Sequence, residues 1–419
     1  MFRPQSNALQ YAATLIQQGN FEEALRELER VEREEVLTEV EQLDYKLLQS
    51  RVFILQGSPE VGSQLAEEVL ERSQALEHQL LVVDAIIMKA EALKLLGNLT
   101  QDPADLRQKH LQLIEQGKQM LSMITDLEPR KQAEREAFLK KYEGIIYGTQ
   151  DNLDSSLKSL QRSLNLFKEV ENEGEMAEVL TWMRITYTKQ GEPYRALEAI
   201  NKSMELFEKI GEKEKLAETL LWDFAIINGL SMGKINIAIK AAKKSLALYE
   251  ELGNKEGIML SLESLSEWYF RQGEYNQFLN HAQMSLKVAE EIGHKAGIAH
   301  LHMFFGIFAT EKGDLDRALE YLHKSVTLWK EIKGLPQYHA LYVSTSMWPL
   351  LNLGRVHHAK GNFTVAEEYY KKSLGKSKEI DHLFGIPYAL YYLITLALDL
   401  DKKEHAKSYL LQLRVFYSK

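Results

Sequence analysis

Residues 313–332 read Gly313-Asp-Leu-Asp-Arg-Ala-Leu-Glu-Tyr-Leu-His-Lys-Ser325-Val-Thr-Leu-Trp-Lys-Glu-Ile332, and the pattern returns along the chain. Ser325 has counterparts at Ser163, Ser203, Ser245, Ser285 and Ser373, each followed at once by Leu, Met or Val. Seven residues after each counterpart stands Val170, Ile210, Leu252, Ile292 or Ile380. Successive serines are 40, 42, 40, 40 and 48 residues apart. A fixed period of this length signals stacked repeats, in which one unit cannot bury its own apolar face and leans on its neighbours.

The rest of the composition suits such an array. A 419-residue chain with 45% hydrophobic and 26% charged residues and eight prolines is ordered and helix-friendly. The absence of cysteine excludes disulfides, thiolate metal sites and thiol nucleophiles. Neither the start, Met-Phe-Arg-Pro-Gln-Ser, nor any later stretch offers a signal-peptide core or the ~18 apolar residues of a membrane span. A cytoplasmic protein without a membrane segment is expected. The net charge of -9 argues against a broad phosphate-tracking surface, so no nucleic-acid partner is expected.

A turn glycine opens the second half of most repeats, at Gly19, Gly57, Gly97, Gly191, Gly233, Gly273, Gly313 and Gly361; Asp151 and Asp401 stand where the register calls for another. The intervals predict ten helical hairpins, with capping residues such as Asn20, Asp314 and Asn362 after the turn. Small residues recur five places past the turn (Ala196, Ala238, Ala318, Ala366, Ala406) and seven before it (Ala90, Gly144, Gly306, Gly354), where two helices close on each other.

A small residue, a large one three later, a glycine turn and then alanine: this constellation resembles the tetratricopeptide repeat, in its longer form of about 40 residues. The chain is similar in this to kinesin light chain, the LGN-type polarity adaptors and the bacterial Rap and maltose-regulator sensor domains. The resemblance implies an all-α solenoid, a right-handed superhelix of about ten hairpins. Segment 1–128 reads as three divergent hairpins with a lengthened third, Pro103 to Ile124 supplying the surplus; 129–419 reads as seven regular ones with an insertion near 335–348. Pro349 there either kinks a helix or marks its first turn. Departures fall at Arg184, Ile226 and Ile394 in the small slot, at Gly229 and Ala309 in the large one, and at Phe278 for alanine.

Enzyme motifs are weak. Gly375-Lys-Ser lacks the opening glycine of a phosphate-binding loop, since Tyr370 stands there, and Gly253 to Gly257 and Gly293 to Gly297 read as inter-repeat turns. The pairs His300/His302 and His357/His358 lack the i, i+4 spacing of helical metal ligands. No catalytic residue, metal or cofactor is assigned. The recurrent serines read as compact packing residues bonded back to the carbonyl four earlier; an array of phosphorylation sites is the sharper alternative.

The resemblance implies that the first helix of each hairpin lines a concave groove and that ligand contacts come from fixed slots on it. Carried over, the slots hold Trp182, Asp223, Phe224, Ile227, Glu263, Glu267, Phe304, Ile307, Trp348, Asn352, Arg355 and Tyr392. This apolar floor with an acidic middle suits a protein or peptide segment with hydrophobic anchors and basic character. The lysine–asparagine carboxylate clamp of chaperone-binding relatives is missing. At the C-terminal end, Leu410, Leu413 and Phe416, with Tyr417, form an apolar stripe through which self-association is expected. The leading reading is a non-enzymatic adaptor or sensor. The alternatives are a small-ligand sensor whose pocket is closed by Trp348, Tyr388, Tyr391 and Tyr392, and a self-assembling scaffold.

Overall fold

A computed structural model describes residues 7–96, 103–333, 345–379, 382 and 384–417. Among these residues the chain is all-helical, with helices α1 to α20 paired as ten hairpins. Two compact units are set apart, Met1–Thr219 and Leu220–Lys419. This division follows how densely residues pack, whereas the segments 1–128 and 129–419 follow repeat regularity.

In the first unit the hairpins are α1 (Asn7–Gln17) with α2 (Phe21–Glu34), α3 (Glu39–Leu55) with α4 (Pro59–Ala75), and α5 (Gln79–Leu96) with α6 (Pro103–Met123). They continue with α7 (Pro129–Thr149) and α8 (Leu153–Glu169), then α9 (Glu173–Lys189) and α10 (Pro193–Ile210). Helix α11 begins as α-helix at Lys213–Glu218 and turns π-helical over Thr219–Phe224 and Ile227–Ser231. The second unit continues with α12 (Ile235–Leu252), α13 (Lys255–Gln272), α14 (Tyr275–Glu291), α15 (Lys295–Glu311) and α16 (Leu315–Glu331). It ends with α17 (Met347–Ala359), α18 (Phe363–Glu379), α19 (Gly385–Asp399) and α20 (Lys403–Tyr417). No helix among the described residues is long and apolar enough to cross a membrane.

The turns work as the register predicts. Gly313 has φ +78°, and Asp151 and Asp401, the two substitutes, hold φ 56° and 52°. After the turn Asp314 N–H reaches back to the Ala309 carbonyl at 2.9 Å, the six-to-one bond that closes a helix end on a left-handed residue. Asp314 also caps α16 by accepting from Arg317 N–H, whereas Asn20 makes no side-chain cap bond. The small slot seven before the turn is a contact point: a Cβ on Gly144, Gly306 or Gly354 would come within 2.7, 2.6 or 2.4 Å of Leu160, Leu322 or Tyr370 on the second helix. Helix α6 has 21 residues where α4, α8, α14, α16 and α18 have 17. Pro349 lies in the first turn of α17, where its missing N–H leaves no intrahelical bond unmade. The Gly97 turn and residues 335–344 of the insertion fall outside the described residues.

The recurrent serines correct their expected role. Ser163, Ser203, Ser285, Ser325 and Ser373 do not bond back along their own helix. Each donates its hydroxyl to a carbonyl 26 residues earlier, on the first helix of the same hairpin: Ala137, Ala177, Met259, Ala299 and Met347, at 2.7–3.0 Å. The serine thus ties the two helices together through a buried bond that a purely apolar residue could not make. All six serines are buried in the folded chain, so the phosphorylation-array reading is dropped. Ser245, in the hairpin of the π-helical α11, lies with its hydroxyl 3.2 Å from that of Ser261 on α13.

Candidate functional site

Within the second unit the first helices α11, α13, α15, α17 and α19 carry eleven of the twelve proposed contact residues. Four of their polar members are held in pairs, Asn352 and Arg355 with one another and Glu263 and Glu267 with neighbours outside the set. Glu263 Oε1 meets His300 Nδ1 of the next first helix at 2.5 Å, Glu267 pairs with Arg271 at 2.7 Å, and Arg355 Nη1 donates to Asn352 Oδ1 at 2.8 Å. Asn352 also donates to the Trp348 carbonyl, so both ends of its amide are used within α17 and it is not poised to grip a peptide backbone. Burial alone pulls His300 down, but the Glu263 and Glu267 charges outweigh it and hold the imidazole above its ordinary value. The expected acidic middle is therefore partly neutralised from inside. Sequence reading missed His300, whose only signal is its position 37 residues after Glu263.

The apolar members differ in access. Phe304 is buried against the edge of His300 and beside Phe270, so it supports the row rather than facing out of it. Ile307 and Trp348 are half-buried. Tyr392 is half-buried between Tyr370, stacked at 5.4 Å, and the Arg355 guanidinium at 5.6 Å. Tyr388, whose ring meets Trp348 edge-on at 5.7 Å, and Tyr391 are 52% and 55% exposed.

Helix α11 departs most from the register. A strict repeat places Asp223, Phe224 and Ile227 in the contact slots, but π-helical turns advance the chain with extra residues per turn and rotate every side chain that follows. Asp223 and Ile227 are buried and Phe224 is half-buried. Exposed instead are Trp222, Ile226 and Leu230, at 46%, 36% and 51%. The residues one 40-residue period after Trp222 and Ile226, Leu262 and Ser266, are buried. Gly229, in a slot that elsewhere holds a large side chain, lies under the Trp268 ring of α13, where an added Cβ would come within 2.3 Å. The departures at Ile226 and Gly229 were visible in the sequence; the rotation they accompany was not.

At the C-terminal end the stripe divides. Leu413 and Phe416 turn inward onto the core shared with Leu390 and Leu393, while Leu410 is 57% exposed and Tyr417 stands out with Leu411 and Val415. In six other hairpins the position of Leu410 is taken by Leu160, Ile200, Ala242, Ala282, Leu322 or Tyr370, all buried.

Trp182, the twelfth residue, belongs to the first unit and is half-buried against its core. Nearby in the chain, Lys141 is buried and pairs with Glu175 at 2.6 Å and Glu178 at 3.6 Å, its ammonium 5.0 Å from the Phe138 and Tyr142 rings. Burial disfavours its charge, but the surrounding carboxylates, Glu175 foremost, hold its pKa well above the ordinary lysine value. Glu178 stands 37 residues after Lys141, the same offset as Glu263 to His300 with the signs reversed. Pairing between neighbouring first helices is thus a recurring device.

The histidine pairs serve separately. His302 is buried and stacks on Tyr321 at 5.8 Å, and burial pushes its pKa down to about 4. His357 stacks on Tyr369, and His358 meets Asp399 at 2.9 Å. Among the described residues no group of three or more His, Cys, Asp or Glu is arranged to hold a metal ion.

A tetratricopeptide-repeat family model matches residues 350–382. No curated protein sequence matches the chain. Among solved structures, the apo form of RapI is similar with a TM-score of 0.59 at 17% identity, over 89% of this chain and 97% of that one. The apo form of the quorum sensor NprR from B. thuringiensis is similar with a TM-score of 0.58 at 13% identity, over 88% and 97%. A Rap protein complexed with Competence and Sporulation Factor has a TM-score of 0.57 at 12% identity, over 89% and 97%. Residues 350–382 thus match a tetratricopeptide repeat, and the chain has the all-helical solenoid fold of these solved structures.

Proposed function

We propose that this protein is a non-catalytic regulator that binds a peptide or protein segment along its row of first helices. The observation that carries the reading is the exposure of Tyr388, Tyr391 and Trp222 on first helices whose polar neighbours are already locked in pairs. Aromatic side chains held out by a rigid scaffold supply contact area at small entropic cost, and the pairs keep that scaffold in place. The fold it shares with NprR, described as a quorum sensor, and with a Rap protein solved with Competence and Sporulation Factor supports the same reading. The carboxylates of Glu263 and Glu267 favour a segment of basic character.

Selection from a randomised peptide library, with affinities measured by fluorescence anisotropy, tests this. Enriched peptides should combine apolar and basic residues, and should bind Tyr388→Ser/Tyr391→Ser or Glu263→Gln/Glu267→Gln protein at least tenfold more weakly. Enriched peptides that bind both variants like the parent would sink the proposal. The ring cluster of Trp348, Tyr388, Tyr391 and Tyr392 beside Arg355 favours the small-ligand sensor as the second reading; a metabolite that raises the melting temperature only when these rings are intact would move it ahead. Self-association through Leu410 and Tyr417 is a further proposal, checked by light scattering of the Leu410→Glu variant.

A further inference from the structure

Lysines and arginines on the first helices of the second unit are matched with carboxylates, with one exception. Lys255 meets Glu291, Arg271 meets Glu267 and Lys295 meets Glu331. Arg355 on α17 is half-buried and meets no carboxylate among the described residues. Its place in the register sets the charge apart. The same slot holds Ile145, Ile185, Ile227 and Ile307 on other first helices, and Glu267 on α13. Glu267 finds Arg271 one turn on, whereas one turn on from Arg355 stands Ala359. A half-buried cation without a counter-charge loses hydration that nothing in the fold returns, so the site is completed by an anion from outside.

The guanidinium is also fixed in its pose. Nη1 donates to Oδ1 of Asn352, a buried side chain whose amide nitrogen is spent on the Trp348 carbonyl. The Tyr392 ring lies 5.6 Å from the guanidinium carbon and is braced in turn by Tyr370, stacked at 5.4 Å. Nε and Nη2, the other edge of the fork, make no hydrogen bond among the described residues. Around this edge stand two edge-on ring pairs, Trp348 with Tyr388 at 5.7 Å and Tyr391 with Tyr392 at 5.2 Å.

We propose that Arg355 anchors the carboxylate of a ligand whose ring or branched apolar group seats against Trp348, Tyr388 and Tyr391. This rests on the reading of the first-helix row as the binding surface, and it names the chemistry of one end of what is bound. The free edge of the fork offers two parallel N–H groups to two carboxylate oxygens. One guanidinium balances one negative charge. The charges of Glu311 and Asp399, felt at the Tyr392 and Tyr370 hydroxyls, disfavour a phosphate dianion there, and Asp399 itself is held by His358 at 2.9 Å. The rings keep water from one side of the fork, which strengthens the ion pair once it forms. A small carboxylic acid and the C-terminal end of a peptide both offer this chemistry.

The probes are phenylpropionate, N-acetylphenylalanine and a pentapeptide library randomised ahead of an apolar last residue, each paired with its amide. Ligand-observed NMR reads the two small acids and calorimetry the peptides. In at least one pair the acid should bind tenfold or more tightly than the amide. Arg355→Gln should bring that pair within twofold, Arg355→Lys should keep part of the preference, and Tyr388→Ser/Tyr391→Ser should weaken acid and amide alike. A preference that includes phenylpropionate assigns the site to small acids; one confined to the peptides assigns it to a chain end. The comparison of acid with amide is made on the unaltered protein, so it decides the matter even where a variant fails to fold. Acids and amides bound alike, or an acid preference unchanged in Arg355→Gln, overturns the Arg355 proposal and leaves the row reading standing if Tyr388→Ser/Tyr391→Ser still weakens binding. Probes that bind parent and Tyr388→Ser/Tyr391→Ser protein equally, or bind neither, overturn the two together.

Discussion

Replacing Ser325 by alanine probes the bond that holds a hairpin together. Its hydroxyl donates to the Ala299 carbonyl at 2.7 Å in a fully buried setting. Ser325→Ala removes one oxygen and leaves almost no void, and the Ala299 carbonyl keeps its own helical partner. The loss is therefore the net worth of one buried hydrogen bond, about 1 kcal/mol. Thr327 on the same helix is the control: it is exposed and bonds back to the His323 carbonyl at 2.9 Å, so Thr327→Ala should stay within about 0.5 kcal/mol of the parent. Because a repeat array need not unfold in one step, the assay is native-state hydrogen exchange of the α15 and α16 amides beside urea denaturation. Protection should fall on both helices in Ser325→Ala. In the double variant Ser285→Ala/Ser325→Ala the costs should add to within about 0.5 kcal/mol, since the bonds lie in separate hairpins. Equal effects of Ser325→Ala and Thr327→Ala, or a loss confined to α16, would refute the cross-helix role.

Asp401→Gly should stabilise the last hairpin by about 0.5–1 kcal/mol, because a left-handed backbone costs a residue with a Cβ more than the added freedom of glycine does; Gly361→Ala should destabilise, both read from urea midpoints. His302, neutral when buried with its pKa near 4 against an unfolded value near 6.5, makes stability fall as pH drops from about 6.5 to 4. The slope corresponds to about 3 kcal/mol across that window, and His302→Phe should flatten it in denaturation curves taken at pH 7, 5.5 and 4.5.

The repeat was legible because its signals are local and redundant. A turn needs a left-handed residue, so the register could be carried through Asp151 and Asp401 where glycine is absent. A helix contact needs a small residue, so Gly306 and Gly354 announced where Leu322 and Tyr370 would lie. What stayed hidden depends on geometry between distant residues. Nothing in Ser325 itself says that its partner is 26 places back, and nothing in Glu263 says that a histidine 37 places on will neutralise it. The π-helical turns of α11 were illegible for a related reason: one extra residue in a helix leaves composition unchanged yet exchanges Asp223 for Trp222 at the surface. Slots transferred by counting were therefore least accurate on the helix whose anomalies at Ile226 and Gly229 had already been noticed.

The buried serine bond also sets where this chain can be cut and rejoined. Its donor and acceptor belong to one hairpin, so a hairpin moved as a whole carries its own fastening, while a splice through the turn at Gly313 would separate Ser325 from Ala299 and strand both. Chimaeras joined at Gly293, between one second helix and the next first helix, keep the Ser285–Met259 and Ser325–Ala299 bonds intact, whereas a join at Gly253 would part Ser245 from Ser261. The natural unit of exchange in this protein thus begins at a first helix and ends at a second.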